Sequence, residues 1–443
     1  MTHNRFSRSM AMEIFTFAWP SMLQVLSNTV VQYADMTMVG TLGTQATAAI
    51  GATADLNWLL NSSIAALAVG FVPALAKACG AGDTSRGSHI AEQAVRATLL
   101  YGTFLSCLMV AVSPFIVGWM QADPSLHPTA TQYFLLFYGP MLFKAATISF
   151  NQILWSLGDT RSPMRSVLSV NLLNVTANFL LIFPARTVGG IYIPGAGLGV
   201  VGAGLASCFA FCAESCFLFL AVRRNHSIRI RFRKITPDKE VLSTGIGIAI
   251  PNMLQRLAIS LGAVFVAAMI NSLGAVATAA NTIANTVKTV FGCGFCTVTA
   301  AMTGRMAGKQ DEKQQSVFFR TLLRMEGSLI ALMSILLCLF APQIVSVFSR
   351  DPVVLALGIP VLRITAFSEF LVRMSQIMEN IMLGKGNTKT PFLYNTLTIW
   401  LFRIPGIYLC IEIMDFGLIA VSICTAVQAI TLLYLFGRHF FKV

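Results

Sequence analysis

Long runs of apolar residues, broken by short segments rich in glycine, proline and charged residues, extend over almost the whole chain. An α-helix crosses a membrane with about 20 predominantly apolar residues, and it satisfies its own backbone polar groups there. The pattern therefore predicts an all-α integral membrane protein with twelve spans, at residues 13–40, 46–76, 90–119, 130–156, 163–184, 199–221, 242–271, 277–305, 317–347, 355–382, 391–412 and 416–437.

The composition supports the membrane assignment and excludes most other classes. Of the 443 residues, 56% are hydrophobic and 11% are charged, whereas a soluble domain carries about 25% charged residues. Twelve spans with short loops leave no room for a soluble catalytic domain. Walker, His-Glu-x-x-His and Gly-x-Ser-x-Gly sequences are all absent, which disfavours an ATP-driven pump and a membrane hydrolase. We expect no enzymatic activity and no cofactor.

The positive charge of the chain follows its membrane topology. The net charge is +13, and 23 lysines and arginines lie in the tails and loops on one side of the predicted spans, against Arg186 and Arg350 on the other. Cytoplasmic loops of membrane proteins carry such an excess. We therefore expect a multi-pass protein of the cytoplasmic (inner) membrane with both termini in the cytoplasm, and no nucleic-acid partner.

A basic segment divides the spans into two groups of six. This segment, residues 222–240, is predicted to be a cytoplasmic linker between an N-terminal lobe, residues 1–221, and a C-terminal lobe, residues 241–443. Two interpretations of its charge remain open. It fits a topology signal and linker, and it also fits a surface that contacts anionic membrane lipid.

The two halves of the sequence repeat one another. Pro20 and Gln24 match Pro251 and Gln255 at a spacing of 231 residues, and the segment 157–163 matches 385–391 at a spacing of 228. Because each half has six spans, the repeat is parallel, with a pseudo-twofold axis along the membrane normal, as in secondary transporters. Pro20 lies well inside its helix and interrupts the backbone hydrogen bonding there, so it is predicted to be either a hinge or a packing kink.

One carboxylate stands out in the first half because it lies inside an apolar span. Counted from the helix ends at 1.5 Å per residue, Asp35, Asn178 and Ser207 lie roughly 8 to 12 Å below the outer surface. Asn174 lies one turn below Asn178 on the same helical face. A carboxylate within a membrane is costly and is a functional candidate by default. The alternative is a hydrogen bond that only joins helices.

The second half carries an excess of cations near the middle of its spans, and the first half adds Lys144. The predicted pair Glu369 and Arg373 is four residues apart on one helical face. A polar cavity for an anionic or zwitterionic substrate group is one interpretation, and an internal ion network is the other. The candidate cavity residues are Arg256, Lys288, Glu369, Arg373, Arg403 and Lys144.

Several motifs resemble those of the multidrug and toxic compound extrusion (MATE) family. They are Trp19-Pro20, Asp35-x-x-x-Val39-Gly40-x-Leu42-Gly43, Gly158-Asp159-Thr160-Arg161-Ser162-Pro163 with its second copy, and Gly199-x-x-Gly202-Ala203. The resemblance implies a V-shaped fold of two six-helix bundles and exchange of organic compounds for H⁺ or Na⁺. It places the cation site at Asp35, Asn174, Asn178 and Ser207.

The coupling ion is left open by these residues. The family often carries a second acidic residue at the position of Asn178, and its absence favours H⁺ over Na⁺ bound at Asp35, Asn174 and Asn178. We therefore expect a monomeric antiporter that exports small organic compounds, such as drugs or toxic metabolites, by alternating access and contacts membrane lipid. The alternative is a flippase or exporter of a lipid-linked or anionic amphipathic substrate.

Overall fold

The computed structural model describes residues 2–42, 44–119, 127–188, 191–225, 227–230, 236–291, 295–414 and 416–441. Within these ranges the chain is almost entirely helical, as predicted from the apolar runs. Part of the predicted linker, residues 226 and 231–235, lies outside the described residues.

The first half contains eight helices and one β-hairpin among the described residues. The helices are α1 Thr2–Gly40, α2 Thr44–Gly70, α3 Val72–Gly80, α4 Thr84–Trp119, α5 His127–Tyr138, α6 Met141–Leu157, α7 Arg161–Ile182 and α8 Gly199–Arg224. Strands β1, Pro184–Val188, and β2, Ile191–Ala196, pair antiparallel with Pro184 opposite Ala196. The hairpin occupies the predicted loop between the fifth and sixth spans.

The second half contains nine α-helices and two short π-helical segments among the described residues. The α-helices are α9 Lys239–Ser272, α10 Ala275–Phe291, α11 Phe295–Gly308, α12 Glu312–Leu339, α13 Ala341–Phe348, α14 Pro352–Gly384, α15 Lys389–Leu397, α16 Ile404–Tyr408 and α17 Leu418–Phe441. The π segments, Thr398–Arg403 and Leu409–Ile413, flank α16.

Each predicted span coincides with one helix or with consecutive helices. Ten of the described helical stretches are long and apolar enough to cross a membrane. Several spans are divided where the chain cannot continue a regular helix. The fourth predicted span, for example, breaks between α5 and α6 at Gly139 and Pro140, because proline supplies no backbone N–H to the preceding turn.

The chain forms two compact units, called here the first and the second, and the boundaries between them lie next to the two prolines of the repeat. The first unit comprises Trp19–Ala249, and the second joins the segment ending at Ala18 to the chain from Ile250 onward. Trp19 and Ile250 directly precede Pro20 and Pro251. The predicted lobes, 1–221 and 241–443, were defined by span count, whereas α1 and α9 each contribute residues to both compact units.

Each unit has its own buried apolar core. In the first unit, Phe71, Leu154 and Leu218 pack in one cluster, and Ile64, Tyr138 and Met141 pack in a second. The helices approach closely at Gly70, where an added Cβ would lie 2.3 Å from the carbonyl oxygen of Gly245. In the second unit, Ala280, Leu362 and Ile407 belong to one continuous cluster.

The duplicated loop motif has the same backbone role in both halves. Gly158 and Gly386 have φ angles of 93° and 86° after α6 and α14, a left-handed conformation that glycine adopts without strain. In the first copy, Asp159 accepts a backbone hydrogen bond from Ser162 at 2.9 Å. In the second, Asn387 accepts one from Thr390 at 3.3 Å. The sequence repeat is therefore also a structural repeat.

Candidate functional site

Asp35 and the two predicted asparagines form one hydrogen-bonded centre in the first unit. Asn178 Nδ2 donates to Asp35 Oδ1 at 2.7 Å and to Asn174 Oδ1 at 3.1 Å. Asn174 and Asn178 are 6% and 2% exposed, and Asp35 is half-buried. Asn178 Oδ1 is buried and makes no hydrogen bond within the described part of the chain. The centre thus combines a carboxylate with an amide oxygen that is free to accept a hydrogen bond.

The α1–α7 interface is also polar one to two turns deeper. Asn171 Nδ2 donates to Ser27 Oγ at 2.8 Å and to Asn28 Oδ1 at 3.0 Å. Residues 171, 174 and 178 share one face of α7 because they are three and four positions apart. The sequence reasoning missed Asn171, although this spacing within an apolar span was the signal for it.

Ser207 is the fourth predicted member of the cation site. It lies on α8 and is half-buried. Among the residues that the structure describes, no hydrogen bond joins Ser207 to Asp35, Asn174 or Asn178. The described bonds therefore define a three-residue centre, and a role for Ser207 stays a prediction.

Lys144 lies in the first unit, in a polar centre of its own. Its Nζ donates to Asn57 Oδ1 at 3.0 Å and lies 4.5 Å and 5.1 Å from the ring centroids of Phe211 and Phe137. The carboxylate of Glu214 interacts with it electrostatically, beyond salt-bridge distance. Sequence reasoning identified Lys144 as a candidate but missed Asn57 and both rings. The only available signal was an asparagine at the middle of an apolar run.

In the second unit, three of the predicted cavity residues meet in one ion cluster. Arg373 Nε donates to Glu369 Oε1 at 2.6 Å, which confirms the predicted pair, and Lys288 Nζ lies 3.4 Å from Glu369 Oε2. They line a small cleft of about 20 Å³ together with apolar side chains such as Met333 and Leu337. This space admits a water molecule, so an organic substrate would need a wider conformation.

Arg256 lies in a second buried network, around Glu379. Gln255 Nε2 and Asn395 Nδ2 donate to the two carboxylate oxygens of Glu379, at 2.7 Å and 3.1 Å. Arg256 interacts with Glu379 electrostatically, and its Nε is buried without a hydrogen bond among the described residues. Sequence reasoning named Arg256 but missed Gln255 and Asn395 as partners of Glu379.

Arg403 ends the first π segment, Thr398–Arg403. Its Nε is likewise buried without a hydrogen-bond partner in the described ranges. π-Helical turns are rare and occur frequently at functional sites. Arg256 and Arg403 thus retain unused donors, whereas Lys288 and Arg373 share one carboxylate.

Comparison with models of known protein families shows which family the chain belongs to. The MatE family model matches residues 20–180 and 251–409. The two matches begin at Pro20 and Pro251, the prolines that the internal repeat aligns. The chain belongs to the MatE family. This MatE chain is therefore a membrane transporter and not an enzyme.

Relatives of similar length support the assignment. The probable multidrug resistance protein NorM of Thermotoga maritima is 22% identical over 420 residues, which are 92% of this chain and 87% of the relative. The FAD transporter of Shewanella oneidensis is 23% identical over 406 residues, 86% of each chain.

A solved structure has the same fold. The outward-facing conformation of a multidrug resistance MATE family transporter superimposes with a TM-score of 0.87 at 20% identity, covering 98% of this chain and 96% of that one. At this level of identity the likeness establishes the fold of the MatE chain. The chemistry of its polar centres comes from its own residues.

Proposed function

We propose that this MatE chain is a secondary active antiporter that exports organic compounds across the cytoplasmic membrane in exchange for H⁺ by alternating access. The observation that carries the proposal is the Asp35 centre, a single carboxylate held by Asn178 at 2.7 Å within an apolar span. Such a carboxylate is costly in a membrane and is a functional candidate for that reason.

Coupling requires that the ion binds one conformation better than another. Donation from Asn178 to Asp35 favours the ionised carboxylate where this contact is made. A conformation that separates α1 from α7 at this level removes the donor and favours the protonated acid. Proton binding and the movement of α1 are then linked, and the linkage is reciprocal.

Pro20 supplies a place for that movement. It lies inside α1, between the start of the helix and Asp35, and its missing N–H weakens the helix there. We propose that bending at Pro20 shifts the part of α1 that carries Asp35 against α7.

Na⁺ is the alternative coupling ion. It prefers oxygen ligands, as hard cations do, and the centre offers Asp35, Asn174 and Asn178. However, Asn174 Oδ1 already accepts from Asn178, and the centre has one negative charge. Na⁺ binding would require the Asn178 amide to turn its oxygen towards the ion, whereas a proton needs only the carboxylate.

Transport in proteoliposomes tests the proposal. We expect Asp35→Asn to lower efflux of a fluorescent organic cation driven by a pH gradient by about 5- to 150-fold, the range of typical coupling free energies. Glu312→Gln is the matched control because Glu312 is an exposed carboxylate at the start of α12. Full gradient-driven efflux by Asp35→Asn would refute the assignment. If efflux is driven by a Na⁺ gradient and is insensitive to the pH gradient, the coupling ion is Na⁺ and not H⁺.

A second candidate, favoured by the second unit, is export of an anionic amphipathic substrate. Arg256 and Arg403 have unused buried donors, and Lys288 and Arg373 share Glu369. An excess of cations within a membrane attracts anionic groups, and the similar protein from Shewanella oneidensis is an FAD transporter. Efflux of an anionic and a cationic dye of equal size decides between the candidates. Arg403→Gln should impair the anionic dye alone if this candidate holds.

A further inference from the structure

The Lys144 centre has an unusual composition for the middle of a membrane span. The ammonium of Lys144 lies over the rings of both Phe137 and Phe211, which meet edge to face with centroids 5.6 Å apart. The amide oxygen of Asn57 accepts one of its hydrogen bonds at 3.0 Å. Glu214 adds a carboxylate at longer range.

The four groups described here around the ammonium, two rings, an amide oxygen and a carboxylate, are all electron-rich. Aromatic faces, an amide oxygen and a carboxylate are the groups with which proteins recognise ammonium ligands, and the faces attract a cation through the ring quadrupole. The surroundings are therefore those of a binding site for an organic ammonium. The positive charge in this site belongs to the protein itself.

Lys144 lies next to an interruption in its membrane span, as residues of transporter binding sites often do. The span is broken at Gly139 and Pro140, so that Phe137 lies in the last turn of one half-helix and Lys144 in the first turn of the next. The positive end of a helix dipole disfavours a cation in that turn. Discontinuous helices near the bilayer midplane form the substrate sites of many transporters.

Asn57, Phe211 and Glu214 reach this break from two other helices. Asn57 lies on α2 and its Oδ1 also accepts from Asn61 Nδ2 at 2.6 Å, which fixes the amide oxygen towards the site. Phe211 and Glu214 are on α8, three residues apart and thus on neighbouring positions of one face. Three elements of the first unit therefore converge on one ammonium.

We propose that this centre is an organic-ammonium site that Lys144 occupies itself, so that a ligand ammonium binds by displacing the lysine side chain. The inference rests on the proposed function in one respect: the ligand is taken to be one of the exported organic compounds. It does not depend on the coupling ion or on Asp35.

Chemical complementation tests the proposal directly. Lys144→Ala removes the atoms of n-propylammonium from the site, so this small amine is the matching probe. We expect n-propylammonium to bind purified Lys144→Ala about tenfold more tightly than the wild-type chain, measured as a concentration-dependent rise in Tm. The uncharged isostere 1-propanol should produce no such rise. Lys144→Arg should resemble the wild type because it retains an internal cation.

A second substitution separates a cation site from a vacant cavity. Lys144→Ala combined with Phe211→Leu should lose most of the gained affinity, since Leu fills space without offering an aromatic face. Lys144→Met repeats the measurement in a variant that keeps an apolar side chain and the helix packing. Equal binding of n-propylammonium by the wild type, Lys144→Ala and Lys144→Met would overturn the proposal, as would equal effects of the amine and the alcohol.

The test is independent of the antiport proposal because binding is measured at equilibrium without an ion gradient. Introducing Asp35→Asn into the Lys144→Ala chain should leave n-propylammonium binding unchanged if the two centres act separately. Loss of gradient-driven efflux with retained binding would thus leave this proposal standing. Retained efflux with no binding would remove this proposal alone.

Discussion

Each half of the repeat holds an ammonium inside a predicted span, but the chemical groups around the two ammoniums differ. At a spacing of 231 residues, Asn57 of α2 corresponds to Lys288 of α10. In the first unit the ammonium belongs to Lys144 on α6 and contacts an amide and two rings. In the second, Lys288 lies on α10 and pairs with Glu369 beside Arg373 on α14.

The difference indicates separate roles for the charged centres of the two halves. Charges around Glu369 are in direct contact, so removing one member leaves the others uncompensated. Two charges inside predicted spans of the first unit are bound by neutral groups, Asp35 by Asn178 and Lys144 by Asn57. A carboxylate or ammonium with neutral partners can exchange its proton or ligand without breaking an ion pair.

The largest expected effect is on stability, at Glu369. Glu369→Gln leaves Lys288 and Arg373 without their shared carboxylate, and breaking a buried pair by removing one partner costs about 3 kcal/mol or more. We expect a clear fall in the Tm of the purified protein. Replacing Lys288 by Met in the same chain should restore part of the loss because one uncompensated charge is removed. A Tm equal to that of wild type would contradict the ion-cluster interpretation.

The second effect is on ion selectivity, at Asn178. Asn178→Asp places a second carboxylate beside Asp35, at a site where the present contact is 2.7 Å. Two carboxylates this close cannot both be ionised unless a proton or cation lies between them. We expect Na⁺ to stimulate efflux by about tenfold in this variant, in line with typical coupling energies.

Asn171→Asp is the matched control for that experiment. It introduces the same carboxylate on the same face of α7, but next to Ser27 and Asn28 instead of Asp35. It should confer less Na⁺ dependence. Equal Na⁺ responses of the two variants would show that added negative charge, and not the pairing with Asp35, creates the effect.

Much of the fold was predictable because hydropathy reports burial and span length directly. The twelve spans, the repeat and the pairing of Glu369 with Arg373 follow from apolar run length and from helical spacing. The Asp35 centre was also within reach, since counting residues from the helix ends places Asp35 and Asn178 at one depth. These inferences need only the geometry of single helices.

The remaining features depend on how helices rotate and pack against each other. The contact of Asn57 with Lys144 joins helices distant in sequence, and hydropathy carries no information about the rotation that brings them together. The break at Gly139 and Pro140 lies inside an apolar run, where composition predicts one continuous span. Strands β1 and β2 are too short for a periodic pattern and are stabilised by pairing with each other.

The smallest predicted effect is a difference in local stability between two ion pairs at the predicted cytoplasmic ends of the helices. In the first unit, His89 Nε2 lies 2.8 Å from Asp238 Oδ2, and the Asp238 carboxylate also accepts backbone hydrogen bonds from Glu240 and Val241 at 2.9 and 3.2 Å. In the second, Lys309 and Glu13 are 4.0 Å apart and both exposed. An exposed pair at that distance contributes little.

The hydrogen bond from His89, together with those from the backbone, lowers the pKa of the Asp238 carboxyl below its usual value. The folded state therefore gains stability from this group above about pH 3.9, the unfolded value for Asp, and loses it as the pH falls through the lower folded value. Glu92 and Arg229 line the same surface depression as His89. Their charges are the same in the wild type and in a variant that lacks the Asp238 carboxylate.

Hydrogen exchange of the Glu240 and Val241 amides measures this contribution. We expect these amides to be less protected at pH 3 than at pH 7 in the wild type, and weakly protected at both pH values in Asp238→Ala. Glu13→Gln is the matched control, because it removes a carboxylate from the looser pair and should leave exchange at the end of α11 unchanged. If Asp238→Ala and Glu13→Gln reduced the protection of nearby amides equally, the shorter, hydrogen-bonded pair would contribute no more than the looser one. The contrast between the units would then be confined to their membrane-embedded centres.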